Sequence, residues 1–466
     1  MNVALLLEMA ADGFGERVAI GSRTDGLTFA ALRDHATGVA AHLGSDTRTV
    51  ALLGATSPLV PVALFGAAWV GASYAPLNFR VPTETRDALL ARLAPAVEAD
   101  EGWLDLAPDP GRSPLDSPSK PAVLLFTSGT TAEPKAAALS HDQLTAYIFN
   151  TVEFGAADEH EAVLVAVPPF HVAGVAALLS STYAGRRVVP LPHFSPEAWL
   201  DVARAEEVTH AFVVPTMLAR IVTAMESDPA ARVPTLQHLA YGGSRMPTPI
   251  LERALALFTD TGFVNAYGLT ETSSTVCVLG PDEHRVAHAS PEPAVRARLG
   301  SVGRPVPGVE LRVTDGEIQV RGDQVSGEYL GRASQRDQAG WLHTGDRGSI
   351  DAEGYVFVEG RGDDTIIRGG ENLAPAEIED TLLRHPTVAH AAVVGVPDEE
   401  WGERVGAMIV GRPGGPVDVD AVRSFVRSHL GSLKTPEVVV VTDELPHTAT
   451  GKILRRAVRA DLTRPR

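Results

Sequence analysis

The chain has 466 residues, too many for one ordinary core and enough for two or three domains. Apolar residues make up 44% and charged residues only 21%, the balance of a globular protein with a large interior. The net charge of −18 makes nucleic acid and anionic membranes poor partners, so any anionic ligand must be held by locally placed cations.

In chain order, the N-terminal residues 1–17 lack the basic stretch of a signal peptide. Residues 49–79 are almost uncharged and long enough to raise the question of a membrane span. Pro58, Pro61 and three glycines interrupt them, so no integral membrane segment is expected. They parse as a strand at 50–53, a helix capped by Ser57 with Pro58 in its first turn, and a strand at 74–77. Buried strands are predicted at 122–126, 162–167, 211–214 and 263–266, with helices at 141–153, 195–206, 216–226 and 247–258. This alternation implies an α/β fold with a largely parallel sheet. Residues 107–120, rich in Pro, Ser and Asp, read as a surface connection.

From about residue 299 the texture changes to short alternating strands with glycine-rich turns, at 310–313, 317–321 and 355–359. A smaller α+β unit follows, with a helix at 375–385, strands at 388–394 and 405–410, a helix at 419–430 and a strand at 437–441. The turn at 360–364 is the expected boundary, giving a large domain of residues 1–362 and a small one of 363–466. The single cysteine, Cys277, excludes an internal disulfide and fits a cytoplasmic protein. It lies in an apolar run and is expected to be buried and inert.

Four segments carry recognisable chemistry. Thr127, Ser128, Gly129, Thr130, Thr131 and Lys135 follow a buried strand, and hydroxyls, a glycine and a lysine on one turn can wrap phosphate oxygens. This is not a Walker A loop, whose G-x-x-x-x-G-K-[ST] pattern is absent, and such residues also favour plain turns. Tyr267-Gly-Leu-Thr-Glu-Thr272 offers an aromatic face, a flexible glycine and a carboxylate suited to Mg²⁺. Trp341-Leu-His-Thr-Gly-Asp346 places an acid after a tight turn, able to accept hydrogen bonds from two ribose hydroxyls. Pro446-His-Thr-Ala-Thr-Gly-Lys452 presents a lysine beyond a glycine turn. Lysine occurs only at Lys120, Lys135, Lys434 and Lys452, so each merits inspection in a chain that otherwise uses arginine.

In this order and spacing the segments resemble the adenylate-forming superfamily of acyl-CoA synthetases, luciferases and peptide-synthetase adenylation domains. The resemblance extends to Pro168-Pro-Phe-His-Val-Ala-Gly174, Tyr241-Gly-Gly-Ser244, Ser301-Val-Gly-Arg-Pro-Val-Pro-Gly308 and Gly369-Gly-Glu-Asn372. It implies a large domain of stacked, mostly parallel sheets with helices plus a small β-barrel, closed by a mobile C-terminal domain hinged at Asp363. ATP would be bound by Thr127–Thr131, Lys135, Gly242, Gly243, Ser244, Ala266, Tyr267, Gly268, Leu269, Thr270, Glu271, Asp346, Arg361 and Lys452. Glu271, helped by Thr131, would hold Mg²⁺, and Lys452, Glu271 and Thr131 would serve the reacting groups. Gly369, Gly370 and Glu371 would line a channel for coenzyme A.

The acid pocket would be formed by His171, Val172, Val175, Val213, Val214, Tyr241, Gly243, Gly268 and Ser274. These are mostly small and apolar, with no arginine to pair a second carboxylate, which favours a monocarboxylic aromatic or medium aliphatic acid. Ala132 stands where the family usually has glycine, so the phosphate loop is strained if that position needs positive φ and merely stiffened if it does not.

The expected activity is ATP-dependent ligation of a small-molecule carboxylic acid to coenzyme A through an acyl-adenylate, releasing pyrophosphate and AMP. No carrier domain follows in this sequence, so coenzyme A leads and a separate carrier-protein thiol is the alternative acceptor. A non-catalytic relative that senses nucleotide or acyl-adenylate is the third reading.

Overall fold

The computed structural model describes residues 1–44, 46–116, 118–127, 134–228, 230–412, 415–448 and 451–464. Two sheets build the large N-terminal domain. The first has nine strands in the order Arg304–Pro305, Ser274–Leu279, Gly262–Leu269, His238–Gly242, His210–Val213, Ala162–Val165, Arg187–Pro190, Val18–Ile20, Leu27–Thr28. Its central pairings, from Gly262–Leu269 across to Val18–Ile20, are all parallel. The second has five strands, Ala96–Ala99, Thr49–Leu53, Ser73–Leu77, Val123–Thr127 and Lys135–Leu139, parallel except for its last pair.

Helices Ala4–Phe14, Phe29–His42, Leu59–Trp69 and Val172–Ala184 fill the layer between these sheets and share one apolar core with them. All eleven residues of Leu59–Trp69 are buried, and this explains why residues 49–79 carry so little charge. No helix among the described residues is long and apolar enough to cross a membrane. The start of that helix differs from expectation. Pro58 occupies the N-cap with no side-chain capping bond, and Val60 N–H donates instead to the Ser57 backbone carbonyl at 3.1 Å.

On the other face of the nine-stranded sheet lie helices Pro196–Ala205, Pro215–Ser227 and Thr248–Leu257. Each starts on a proline at its first turn, which suits a position whose N–H would be orphaned anyway. The expected small β unit is an antiparallel meander of Val309–Thr314, Glu317–Gly322, Leu342–Ile350 and Val356–Arg361. Here the segment read as a tight turn ending at Asp346 is strand. Only Gly345 takes positive φ (72°), and Asp346 sits in register with Arg361 across the ladder.

The smaller C-terminal α+β domain has its own five-stranded sheet, from Ile366–Arg368 to Val438–Thr442, with helices Pro375–Arg384, Val419–Leu430 and Arg455–Thr463. Its sheet and last helix enclose an apolar cluster of Ala392, Val394, Val396, Met408, Leu445, Val458 and Leu462. Arg455 locks this unit. Its guanidinium donates to Glu379 Oε1 at 2.7 Å and Oε2 at 3.0 Å and to Val393 O at 2.5 Å, while Asp364 lies at 3.6 Å. Glu379 is 8% exposed and also accepts from Val393 N–H at 2.8 Å, so it has no solvent to fall back on. Arg455→Ala should therefore destabilise the C-terminal domain by about 3–5 kcal/mol, the cost of leaving a buried charge unpaired. Urea unfolding followed by Trp401 fluorescence checks this, and a loss below about 1 kcal/mol would contradict it.

Candidate active site

Parallel strands deliver their C-terminal ends to one edge of a sheet, where ligands of open α/β folds bind. Four such ends meet here: Ala162–Val165 leads to His171, His210–Val213 to Val214, His238–Gly242 to Gly243, and Gly262–Leu269 to Glu271. Gly243 holds φ +81°, a conformation that favours glycine. A Cβ there would stand 3.5 Å from Val214 Cγ1 and 4.0 Å from His171 Cε1, so the three residues line one small concavity. His171 caps helix Val172–Ala184, its Nδ1 accepting from Ala173 N–H at 3.1 Å. Burial, then the Lys452 charge, pushes its pKa down to about 4, so at neutral pH Nε2 carries the ring proton.

The ionic centre lies beside this concavity. Asp346 is 6% exposed, and both its oxygens have partners: Tyr267 Oη donates to Oδ2 at 2.7 Å and Arg361 Nε reaches Oδ1 at 3.0 Å. Burial raises the Asp346 pKa, with Arg361, Tyr267 and Lys452 opposing the rise. Arg361 is fixed by a second bond, Nη1 to Thr344 O at 2.7 Å, and its outer surface stays half exposed.

Glu271 lies in the single 3₁₀ turn Thr270–Thr272 that follows the long strand. The turn is over-determined. Thr272 Oγ1 donates to Ser274 O at 2.7 Å, and the Glu271 carbonyl accepts from Ser326 and Gly327 N–H at 2.8 and 3.2 Å. Ser273 and Ser274 are held at φ 56° and 119°, strain of the kind that clusters at functional sites.

Lys452 is brought to this centre by the small domain. Gly451 O accepts from Thr216 Oγ1 at 3.1 Å, and a Cβ on Gly451 would approach Val214 Cγ2 to 3.2 Å. The Lys452 residue is exposed, yet protein groups around its ammonium lower its pKa. Desolvation is the main cause, followed by Arg361; Asp346 and Glu271 oppose it. The domains are further joined by a bidentate pair, Arg245 Nη1 and Nη2 to Asp380 Oδ1 and Oδ2 at 2.9 and 2.5 Å. Arg245 follows Ser244 directly, so the contact ties the small domain to the turn at Gly243.

The remaining candidates are placed as follows. Tyr241 is fully buried behind the sheet, its hydroxyl 2.8 Å from His284 Nε2. Val213 lies in the same core, whereas Val172 and Val175 pack into the layer between the sheets. Ligands on the Gly243 side would meet backbone at Tyr241 and Val213, because residues that alternate along a strand buried on both faces must place one set away from the site. Tyr267 is strand rather than post-strand turn, and its hydroxyl is engaged by Asp346. Ala266 pairs with Gly242, and Gly268 with Thr275 beyond a bulge; a Cβ at Gly268 would fall 1.8 Å from Ser274 O.

Leu269 N–H donates to Thr272 Oγ1 at 2.9 Å, and Ser244 is exposed. Gly369 and Gly370 form an exposed turn with φ +58° and +86°, Glu371 opens the strand Glu371–Leu373 and is exposed, and Asp363 lies exposed in the 3₁₀ turn Gly362–Asp364. Thr127 and Lys135 are cross-strand partners. Ser128, Gly129, Thr130, Thr131 and Ala132 lie outside the described residues.

Of the remaining lysines, Lys434 pairs with Glu377 at 2.5 Å and Lys120 bonds Thr47 O at 3.3 Å, so neither belongs to the cleft. Cys277 is fully buried and its thiol is pushed up to about 12, which leaves it unreactive. Sequence reasoning missed Tyr329, whose hydroxyl donates to Glu271 Oε1, and the Arg245–Asp380 and Thr216–Gly451 contacts. No local signal announces contacts between residues so far apart in the chain.

Four histidines, His141 and His284 buried and His171 and His210 partly so, have depressed pKa values, His141, His171 and His284 to about 4 and His210 to about 3, chiefly by desolvation. In the unfolded chain each binds a proton near pH 6.5. The native state refuses these protons until about pH 4, so stability present above 6.5 is lost as pH falls toward 4. The urea midpoint should fall steeply between pH 6.5 and 4.5, before most carboxylates protonate; a flat midpoint there would contradict these histidine environments.

Two family models match the chain, AMP-binding enzyme over residues 87–333 and AMP-binding enzyme C-terminal domain over residues 377–452. A feruloyl-CoA synthase of Amycolatopsis sp is 35% identical over 445 residues, covering 88% of each chain. A fatty acid–[acyl-carrier-protein] ligase of Streptomyces coeruleorubidus is 35% identical over 385 residues, 78% of this chain and 72% of that one. The o-succinylbenzoate CoA synthetase of Bacillus subtilis, solved with its acyl-adenylate intermediate, superposes with a TM-score of 0.81 at 29% identity, covering 99% of this chain and 98% of the other. With both models matched, and relatives this similar over most of its length, the chain belongs to the AMP-binding enzyme family.

Proposed function

We propose that this chain activates a carboxylic acid with ATP and Mg²⁺ as an acyl-adenylate and passes the acyl group to the thiol of coenzyme A. The observation that carries the reading is the docking of Lys452 beside Asp346, Arg361 and Glu271, next to the concavity of His171, Val214 and Gly243. A carboxylate is a poor electrophile, and in-line attack of its oxygen on the α-phosphorus brings one anion onto another. The Lys452 ammonium and Arg361 supply positive charge where those anions meet, and Asp346, oriented by Tyr267 and Arg361, keeps lone pairs for ribose hydroxyls.

The residues fit a divalent cation at Glu271: among the described residues its Oε2 has no hydrogen bond, and the turn that carries it is rigid. Thr131 would assist it. Bound there, Mg²⁺ would neutralise charge on the phosphates. The B. subtilis synthetase has been solved with ATP and magnesium. After pyrophosphate leaves, thiolate attack on the acyl carbon breaks the mixed anhydride and releases AMP.

The second step needs room where Lys452 sits. The boundary after Gly362, with Asp363 as hinge, would let the small domain turn so that Gly369, Gly370 and Glu371 face the site and guide coenzyme A. Their exposure in the present orientation supports that role. A carrier-protein thiol is the second reading, favoured by the relative that acylates an acyl carrier protein. The small apolar wall of His171, Val214 and Gly243 supports a hydrophobic monocarboxylic acid.

Lys452→Ala should slow acid-dependent pyrophosphate exchange about 10²-fold or more while leaving thiolysis of supplied acyl-adenylate nearly intact. Because the Lys452 pKa is depressed, its charge is lost as pH rises through that lowered value, and adenylation should decline on the alkaline side before thiolysis does. Lys452→Arg, charged throughout, should remove that alkaline limb even at a reduced rate. Measuring both half-reactions against pH tests this, and equal losses in a folded Lys452→Ala protein would overturn it. An acid panel assayed for AMP release with coenzyme A identifies the substrate.

A further inference from the structure

We propose that Tyr329 is the positioning residue for the Glu271 carboxylate, coupling the metal-binding turn to Lys135 at the exit of the phosphate loop. The inference rests on the reading of Glu271 as the metal ligand. Residues 326–330 lie across two elements distant in sequence. On one side Ala138 N–H donates to Glu328 O and Leu330 N–H to Ala136 O, both at 2.9 Å, and Tyr329 forms an isolated antiparallel bridge with Ala137. On the other, Ser326 and Gly327 N–H groups hold the Glu271 carbonyl at 2.8 and 3.2 Å. Ser326 Oγ closes the tie by donating to Ala138 O at 2.6 Å.

This backbone clamp leaves one side chain directed at the charges. The Tyr329 hydroxyl donates to Glu271 Oε1, and its ring carries Lys135 Nζ 5.7 Å from the centroid, within cation–π range. The ring thus stands between the anion of the metal turn and the cation of the phosphate loop. The hydroxyl's bond restrains the Glu271 carboxylate through one oxygen and leaves the other without a hydrogen bond among the described residues. Partners of this kind typically set metal affinity by about 10- to 100-fold.

Tyr329→Phe keeps the ring, the backbone bridge and the contact with Lys135, and removes only the hydroxyl. It should raise the Mg²⁺ concentration for half-maximal pyrophosphate exchange about tenfold, with a matching loss of Mn²⁺ retained by the protein–ATP complex in electron paramagnetic resonance. ATP binding without metal should not change. Tyr329→Leu, which also removes the ring beneath Lys135, should in addition weaken metal-free ATP binding several-fold. Unchanged Mg²⁺ and Mn²⁺ curves in Tyr329→Phe would overturn the assignment, as would an equal loss with and without metal. A wild-type protein that neither exchanges pyrophosphate nor retains Mn²⁺ with ATP would instead overturn the functional reading beneath it.

Discussion

An ammonium group in a cleft of an acidic protein is the feature around which this structure is arranged. Lys452 belongs to the small domain, and every group that surrounds its charge, Arg361, Asp346, Glu271 and His171, belongs to the preceding part of the chain. Bringing it there costs desolvation and repulsion from Arg361, offset in part by the two carboxylates. A phosphate and a second carboxylate arriving in the cleft would add the anions that this arrangement lacks. With a net charge of −18, the overall field repels such ligands, so local cations must do the attracting.

Precision in the cleft is obtained by engaging each charged group elsewhere. Asp346 is set by strand register opposite Arg361 and by the Tyr267 hydroxyl; Arg361 by Thr344 O; Glu271 by a strained turn and by Tyr329. These partners come from different layers, so the site depends on the packing of the meander against the nine-stranded sheet, seen in the cluster of Val276, Cys277, Ile318, Val320 and Leu342. The small domain docks through helices Thr248–Leu257 and Pro375–Arg384, within one buried cluster that takes in Ile250 and Leu251 on one side and Ile378 and Leu382 on the other, and through the Arg245–Asp380 pair and the Thr216–Gly451 bond.

Much of this was legible in the sequence. The α/β layers follow from apolar runs alternating with helical patterns, and the family from the ordered motifs. The uncharged stretch 49–79 resolves as two strands flanking a helix, Leu59–Trp69, buried on all sides, which periodicity alone cannot distinguish from a membrane segment. What stayed hidden depended on long-range pairing. Asp346 was expected to follow a tight turn, because Gly345 suggests one, and only pairing across the ladder with Arg361 makes the whole segment strand. Tyr241 read as a pocket side chain, yet the direction of a residue on a strand covered on both faces is fixed by what packs behind it, in this case His284. Tyr329 reaches Lys135 through a lone bridge to Ala137, some 190 residues back along the chain, and Glu271 through the Ser326 and Gly327 N–H groups, contacts that no local pattern encodes.

If Lys452 acts from the docked domain and must leave for the thiol, holding the domain in place should separate the two steps. Cysteines replacing Arg245 and Asp380 can be joined by a short bismaleimide, since Cys277 is buried and will not compete. The account predicts that the cross-linked protein still exchanges pyrophosphate in the presence of its acid but forms no thioester, while the uncross-linked double variant does both. Thioester formation by the cross-linked protein at the rate of the uncross-linked one would contradict it.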